Sequence, residues 1–254
     1  NFVKILTEKE IKVDFQSNGE LILLDKQNHR LARILNDSLL IAGGFGSSKY
    51  SLFDPVDLIV DQLDIFILDQ STGRISRFDS KLNFIQFFDY SINYPRYPTL
   101  FSIDSRRNFY FYSPDEDIVY TTQSLSDKIS NFSDLSLDVN TASCLKDISI
   151  NLKDQIAMLF SCNDELFIFN RAGRLQRKFK INIVDPLKVF SINEQWSVIN
   201  SKGKIQSIDS AIMEKILKNS WALFTGMGLI MIAHGFQVSL LGVRAVHESF
   251  SLTA

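Results

Sequence analysis

The feature that most constrains the fold is a stretch that occurs twice in the first third of the chain at a spacing of 44 residues. Residues 18–31 (NGELILLDKQNHRL) and 63–75 (LDIFILDQSTGRI) share one plan. Each has a turn, an apolar strand ending in Asp, a polar four-residue turn, and a second strand opening on Arg. A period of 20–50 residues belongs to architectures in which one repeat cannot bury its apolar face alone and stacks on the next. Weaker copies follow at 109–120 (FYFYSPDEDIVY), 156–169 (IAMLFSCNDELFIF), 196–208 (WSVINSKGKIQSI) and 229–241 (LIMIAHGFQVSLL). The residues closing the first strand of each copy are Asp25, Asp69, Ser113, Ser161, Asn200 and His234, spaced by 44, 44, 48, 39 and 34.

Each copy is preceded by a further short apolar run: EIKVDFQ, VDLIVD, TLFSID, LKDISI, LKVFSI and WALFT. These are the expected inner strands. SLLIAGG and FIQFFD are expected outer strands, which makes four strands per repeat. With 21 Phe and only five Pro, the chain is rich in the residues that suit a pleated, half-buried surface. The expectation is an all-β, six-bladed β-propeller with four-stranded antiparallel blades, folding as a single domain over residues 1–254. Phe2–Leu6 and Val246–Leu252 both read as outer strands of the last blade, and either end can close the ring. Asp209–Asn219 alone carries a helical pattern, as a short helical turn or the outer strand of blade five.

Residues 17–90 run through Gly43-Gly44-Phe45-Gly46, Phe53-Asp54-Pro55-Val56-Asp57-Leu58-Ile59-Val60-Asp61, Ile65–Asp69 and Gly73-Arg74-Ile75-Ser76-Arg77-Phe78-Asp79, and with these motifs they resemble the NHL-repeat family. The turn Asp25-Lys26-Gln27-Asn28-His29-Arg30-Leu31 is similar to the same family's. The last four blades match only in strand pattern and spacing. The resemblance implies a propeller and a protein-binding or ligand-binding role, with no single activity attached. Asp25 and Asp69 are expected to accept bonds from backbone N–H groups two or three residues on. Gly73 is expected at positive φ, and Pro55 at the start of an inner strand, where no ladder donor is lost.

Net charge is −2 and the pI about 6, without the basic face of a nucleic-acid binder. The densest basic run, Arg171–Lys178, reads as a strand edge guarded by charge. Trp221–Val243 is uncharged and long enough to span a bilayer. Its glycines cut it into strand-sized pieces, so no transmembrane segment is expected. A hairpin centred near Lys153 places Cys144 opposite Cys162, close enough for a disulfide. Because disulfides persist in oxidising compartments, and because the chain opens without Met, a secreted or periplasmic protein is expected.

Motifs of chemistry are scarce. No nucleophile elbow, P-loop, HExxH or GxGxxG is present, and no cofactor or metal is expected. His29 and His234 fall on equivalent turns of neighbouring blades, one and six, with no carboxylate partner in view. His247 has no evident role. Asp14, Asp57 and Asp147 lie on inner strands at different offsets, and water-solvated channel carboxylates are expected rather than a metal ring. The expected working surface is the face carrying the inter-blade loops and the turns after each second strand. It holds His29, Arg30, Lys49, Tyr50, Tyr94, Arg96, Tyr97, Asp115 and Glu116, and Tyr and Arg are enriched at binding hot spots. The leading expectation is a non-catalytic scaffold that binds another protein, as a possible subunit of a larger complex. The alternative is a lactonase-like or lyase-like enzyme with a divalent cation in the channel.

Overall fold

The computed structural model describes residues 11–16, 19–35, 38–90, 97–122, 129–138, 144–192 and 194–208. By packing, the chain divides into two compact units, Asn1–Ser207 and Ile208–Ala254. The described sheets all lie in the first.

Its strands pair antiparallel with their neighbours in chain order. The first sheet is β1 (Ile11–Phe15), β2 (Leu21–Asp25), β3 (Arg30–Leu35) and β4 (Ser38–Gly43). The second is β5 (Pro55–Asp61), β6 (Asp64–Asp69), β7 (Arg74–Phe78) and β8 (Phe84–Asp89). The third is β9 (Leu100–Ile103), β10 (Phe109–Ser113), β11 (Ile118–Thr122) and β12 (Ile129–Asp134), followed by one helical turn, α1 (Leu135–Asp138). The fourth is β13 (Leu145–Ile150), β14 (Ile156–Phe160), β15 (Glu165–Phe169) and β16 (Leu175–Lys180). The last, β17 (Pro186–Ile192), β18 (Gln195–Asn200) and β19 (Ile205–Ser207), has three strands among the described residues. First strands pack in succession, β1 on β5, β5 on β9, β9 on β13 and β13 on β17. These are blades of a β-propeller, and five are described where six are expected from the repeats. The expected sixth copy, the Asp209–Asn219 segment, His234, His247, the apolar run Trp221–Val243 and both closing strands lie outside the described residues.

The core sits between blades. In β6 every residue is buried, and alternation splits it: Ile65 and Ile67 pack with Ile22, Leu24 and Leu31 of blade one, while Phe66 and Leu68 pack with Phe101, Phe109 and Phe111 of blade three. β10 repeats this, with Tyr110 and Tyr112 facing Met158, Phe160 and Phe167 of blade four. A second strand buried on both faces must read as a continuous apolar run, which is why those runs carry the repeat. Outer strands are open. In β16 residues 176–178 (Gln-Arg-Lys) are exposed, and Lys178 lies 4.3 Å over the Phe167 ring.

Five of the hairpins share one turn. Asp79, Asp104, Asn151, Asn170 and Asn200 each accept from the N–H groups two and four residues on. The residue three on has positive φ: Leu82, Arg107, Asp154, Gly173 and Gly203. The side-chain oxygen stands in for a ladder acceptor and fixes the reversal. Gly173 is obligatory by space as well, since a Cβ there would lie 2.3 Å from the Phe132 carbonyl oxygen. Gly173→Ala is therefore expected to destabilise by about 2 kcal/mol or more. A urea midpoint unchanged from the parent would refute this.

Candidate functional site

The loop face is built on the first two blades. β2 ends at Asp25, whose carboxylate accepts from Asn28 N at 3.0 Å and Asn28 Nδ2 at 2.7 Å. That turn delivers His29 at φ 55. The His29 carbonyl accepts from Gly44 N at 2.7 Å. Gly43 stands at φ +82, and a Cβ on it would meet that carbonyl at 3.0 Å. The loop that follows is pinned by buried Leu52, which packs into the core between blades one and two.

Its far end is held by Asp69, only 2% exposed. The carboxylate accepts from Phe53 N at 2.6 Å, Asp54 N at 3.2 Å and Thr72 N at 3.3 Å. Asp54 in turn accepts from the Ser71 hydroxyl at 2.8 Å. Held at both ends, the loop presents a chain of rings: His29 to Phe45 at 5.3 Å and Phe45 to Phe53 at 5.2 Å between centroids. Phe45 is 71% exposed, Tyr50 49% and Phe53 42%. Exposed rings on a pinned loop lose little freedom on contact with a partner.

Of the expected face residues, the structure joins His29 to the Gly44–Phe53 loop that carries Lys49 and Tyr50. Lys49 Nζ lies 6.0 Å from the Phe84 ring on β8. His29 is half-buried with an enclosed, unpartnered Nδ1, so it is a packed turn residue rather than a freely exposed one. Tyr97 is 63% exposed at φ 46, while Tyr94 and Arg96 lie outside the described residues. Asp115 is exposed. Glu116 turns inward and accepts from the Tyr120 hydroxyl at 2.8 Å. Phe45 and Phe53 are not among the face residues expected from the sequence; their signal there is the Gly43–Gly46 and Phe53–Pro55 likeness to the repeat family.

On the axis, the expectation of water-solvated carboxylates is corrected. Each inner-strand Asp accepts a backbone N–H of the next blade: Asp14 from Val60 at 2.8 Å, Asp57 from Phe101 at 3.0 Å and Asp147 from Val189 at 2.8 Å. They therefore stitch blade one to two, two to three and four to five. Two lysines complete the set. Lys12 Nζ pairs with Asp57 at 3.0 Å, and Lys188 Nζ with Asp14 at 3.3 Å and the Val13 carbonyl at 2.9 Å. Burial pulls the Lys188 pKa down, but Asp14, Asp147 and Asp57 outweigh it and the net direction is up. Each lysine was legible as the one cation inside an apolar inner strand. Among the described residues, no three His, Cys, Asp or Glu are grouped to hold a metal ion.

Burial pushes the Asp147 carboxyl up to about 7 against the pull of Lys188, the Val189 N–H and Lys12. Its ordinary value is 3.8, so folding takes up a proton between those pH values. Stability owed to this group is full below about pH 4 and falls as pH rises through 7. Asp147→Asn keeps an acceptor for Val189 and removes the titration. Urea midpoints measured from pH 4 to 8 should then lose that downward slope. A slope unchanged in the variant would refute the assignment.

The two cysteines are joined. Cys144, before β13, and Cys162, after β14, form a disulfide with Cα atoms 5.7 Å apart. No helix among the described residues is long and apolar enough to cross a membrane.

No protein-family profile matches the chain, and no curated protein matches it in sequence. Solved structures do match. A chain of the nidogen–laminin complex superposes with TM-score 0.57 at 14% identity, covering 74% of this chain and 70% of that one. A gluconolactonase from Xanthomonas campestris gives 0.59 at 10% identity, covering 77% and 70%. An inactive virginiamycin B lyase from Staphylococcus aureus, solved with quinupristin, gives 0.52 at 14%, covering 80% and 70%. The shared object is the propeller. At such identities the likeness establishes the fold and leaves activity open.

Proposed function

We propose that this chain is a protein-binding propeller whose loop face, around the Phe45–Phe53 ridge, docks a partner protein. The observation that carries the reading is the ridge itself: the paired rings of Phe45 and Phe53, with Tyr50, exposed on a loop pinned by His29 and Asp69. Large exposed aromatic side chains on an ordered surface are a binding signature. That one structural neighbour was solved in a nidogen–laminin complex supports the reading. The disulfide favours an oxidising compartment, secreted or periplasmic. In this reading the chain is a single NHL-like domain over residues 1–254.

A photo-crosslinking amino acid tests it, placed at position 50 on the loop face and at position 152 on a first hairpin turn, where Leu152 is 88% exposed. Proteins are exposed to light in their native source and adducts identified by mass. An adduct from position 50 and none from 152 is the expected result, and equal labelling or none from position 50 overturns the reading. Phe45→Ser should leave stability within about 0.5 kcal/mol, as for an exposed side chain, and abolish the position-50 adduct.

The enzyme alternative, a lactonase-like or lyase-like propeller with a divalent cation, has the fold likeness in its favour. The axis carboxylates suited to it are held by backbone N–H groups and two ammonium groups. Stoichiometric divalent metal in protein purified from its source would move this alternative ahead.

A further inference from the structure

The repeat itself points to the chemistry of the partner. Arg30 and Arg74 open the third strand of their blades, each opposite the closing Asp of the second strand: Arg30 opposite Asp25, Arg74 opposite Asp69. On the other side, the outer strand places Asp89 opposite Arg74 and Gly43 opposite Arg30. In blade two the guanidinium is satisfied: Arg74 Nε lies 3.3 Å from Asp89 Oδ1, and the group stacks 4.3 Å over the Phe87 ring. In blade one the matching carboxylate is replaced by hydrogen. Asp25 is committed to Asn28. Among the described residues no carboxylate lies within ion-pair distance of Arg30, which is exposed. Nor can that carboxylate be restored cheaply within the chain, because Gly43 stands at φ +82 against the His29 carbonyl. Arg30 follows His29, whose ring meets Phe45, and sits across from Gly43, the residue that leads into the loop raising Phe45 and Phe53.

We propose that Arg30 and the Phe45–Phe53 ridge form one docking site for an acidic peptide segment. A carboxylate of the partner takes the place that Asp89 holds in blade two, and a neighbouring apolar side chain rests on the rings. This rests on the loop-face reading above and names the partner's chemistry. An unpaired guanidinium selects a carboxylate by two-pronged hydrogen bonding, and a partner side chain laid on the rings of the same loop would shield that contact from water.

The probe is a fluorescein-labelled peptide of alternating Glu and Phe, titrated beside the same peptide with Lys for Glu. Fluorescence anisotropy is read on the parent, Arg30→Glu and Arg30→Gln, each first shown to melt cooperatively. The parent should bind the acidic peptide at least about tenfold tighter than the basic one. Arg30→Gln should erase the preference, and Arg30→Glu should invert it. No binding of either peptide, no preference, or a preference that survives Arg30→Glu overturns the proposal. Concentration-dependent self-association that Phe45→Ser abolishes would assign the ridge to a second copy of this chain, and also overturns it. A neutral or basic protein captured from position 50 would sink this inference and leave the loop-face reading standing. No adduct at all would sink the reading beneath it.

Discussion

Asp69→Ala is expected to lower stability by about 3 kcal/mol, while Asp25→Ala, the same residue type at the same point of the repeat, costs about 1 kcal/mol. The difference lies in what each carboxylate holds. Asp25 is partly open to solvent and accepts only from Asn28, within its own turn. Asp69 is almost fully buried and accepts from three backbone N–H groups, two of them in the inter-blade loop. Removing it strands three donors where water does not readily replace the lost oxygens, and that asymmetry makes the loss expensive. Asp69→Asn keeps one acceptor and should fall between. Urea melts at pH 7 read the effect as a shift in midpoint at constant slope. The loop-face reading adds a second expectation: Asp69→Ala releases the Phe53 end of the loop, so labelling from position 50 should drop even where the blade remains folded. Equal midpoints for the Asp69 and Asp25 variants would refute the account of both.

How much of this was legible beforehand depends on which force set each feature. Strands set by burial were readable. β13 and β8 have the bounds expected for LKDISI and FIQFFD, and β2, β6, β10 and β18 end at Asp25, Asp69, Ser113 and Asn200. β14 stops at Phe160, one short of Ser161, beside a bulge between Leu145 and Asp147. A bulge inserts a residue without leaving a mark in the apolar pattern. The shared hairpin turn was hidden for a different reason. Leu82 and Arg107 take positive φ without being glycine, because an Asp side chain three residues earlier holds the reversal.

The site was half legible. Asp14, Asp57 and Asp147 were recognised as inner-strand carboxylates, but their partners are backbone groups 46, 44 and 42 residues away in sequence. Backbone donors carry no residue-type signal. Lys12 and Lys188 did carry one, since a cation inside an apolar inner strand needs a counter-charge. Arg30 was seen as a face residue, yet its lack of an acid partner becomes visible only with the register that sets Gly43 across from it. Phe45 and Phe53 look like core residues in the sequence. Only the positive-φ glycines before Phe45 and the tether at Asp69 turn them outward.

The second large effect concerns the disulfide. Cys144→Ser with Cys162→Ser is expected to cost about 3 kcal/mol, the chain-entropy value for closing a loop of 18 residues. The bridge ties the start of an inner strand to the end of its neighbour. The hairpin between them is already registered by the Asn151 turn and by the pairing of β13 with β14. The bond therefore adds little to native contacts and acts mainly by denying the unfolded chain its open states. Two consequences separate this from a packing effect. Dithiothreitol should lower the parent's urea midpoint to that of the double Ser variant and leave the variant unmoved. Either single Ser variant should match the double, since one thiol alone closes no loop. If reduction leaves the parent's midpoint unchanged, the bond contributes nothing to stability, and the case for an oxidising compartment loses its main support.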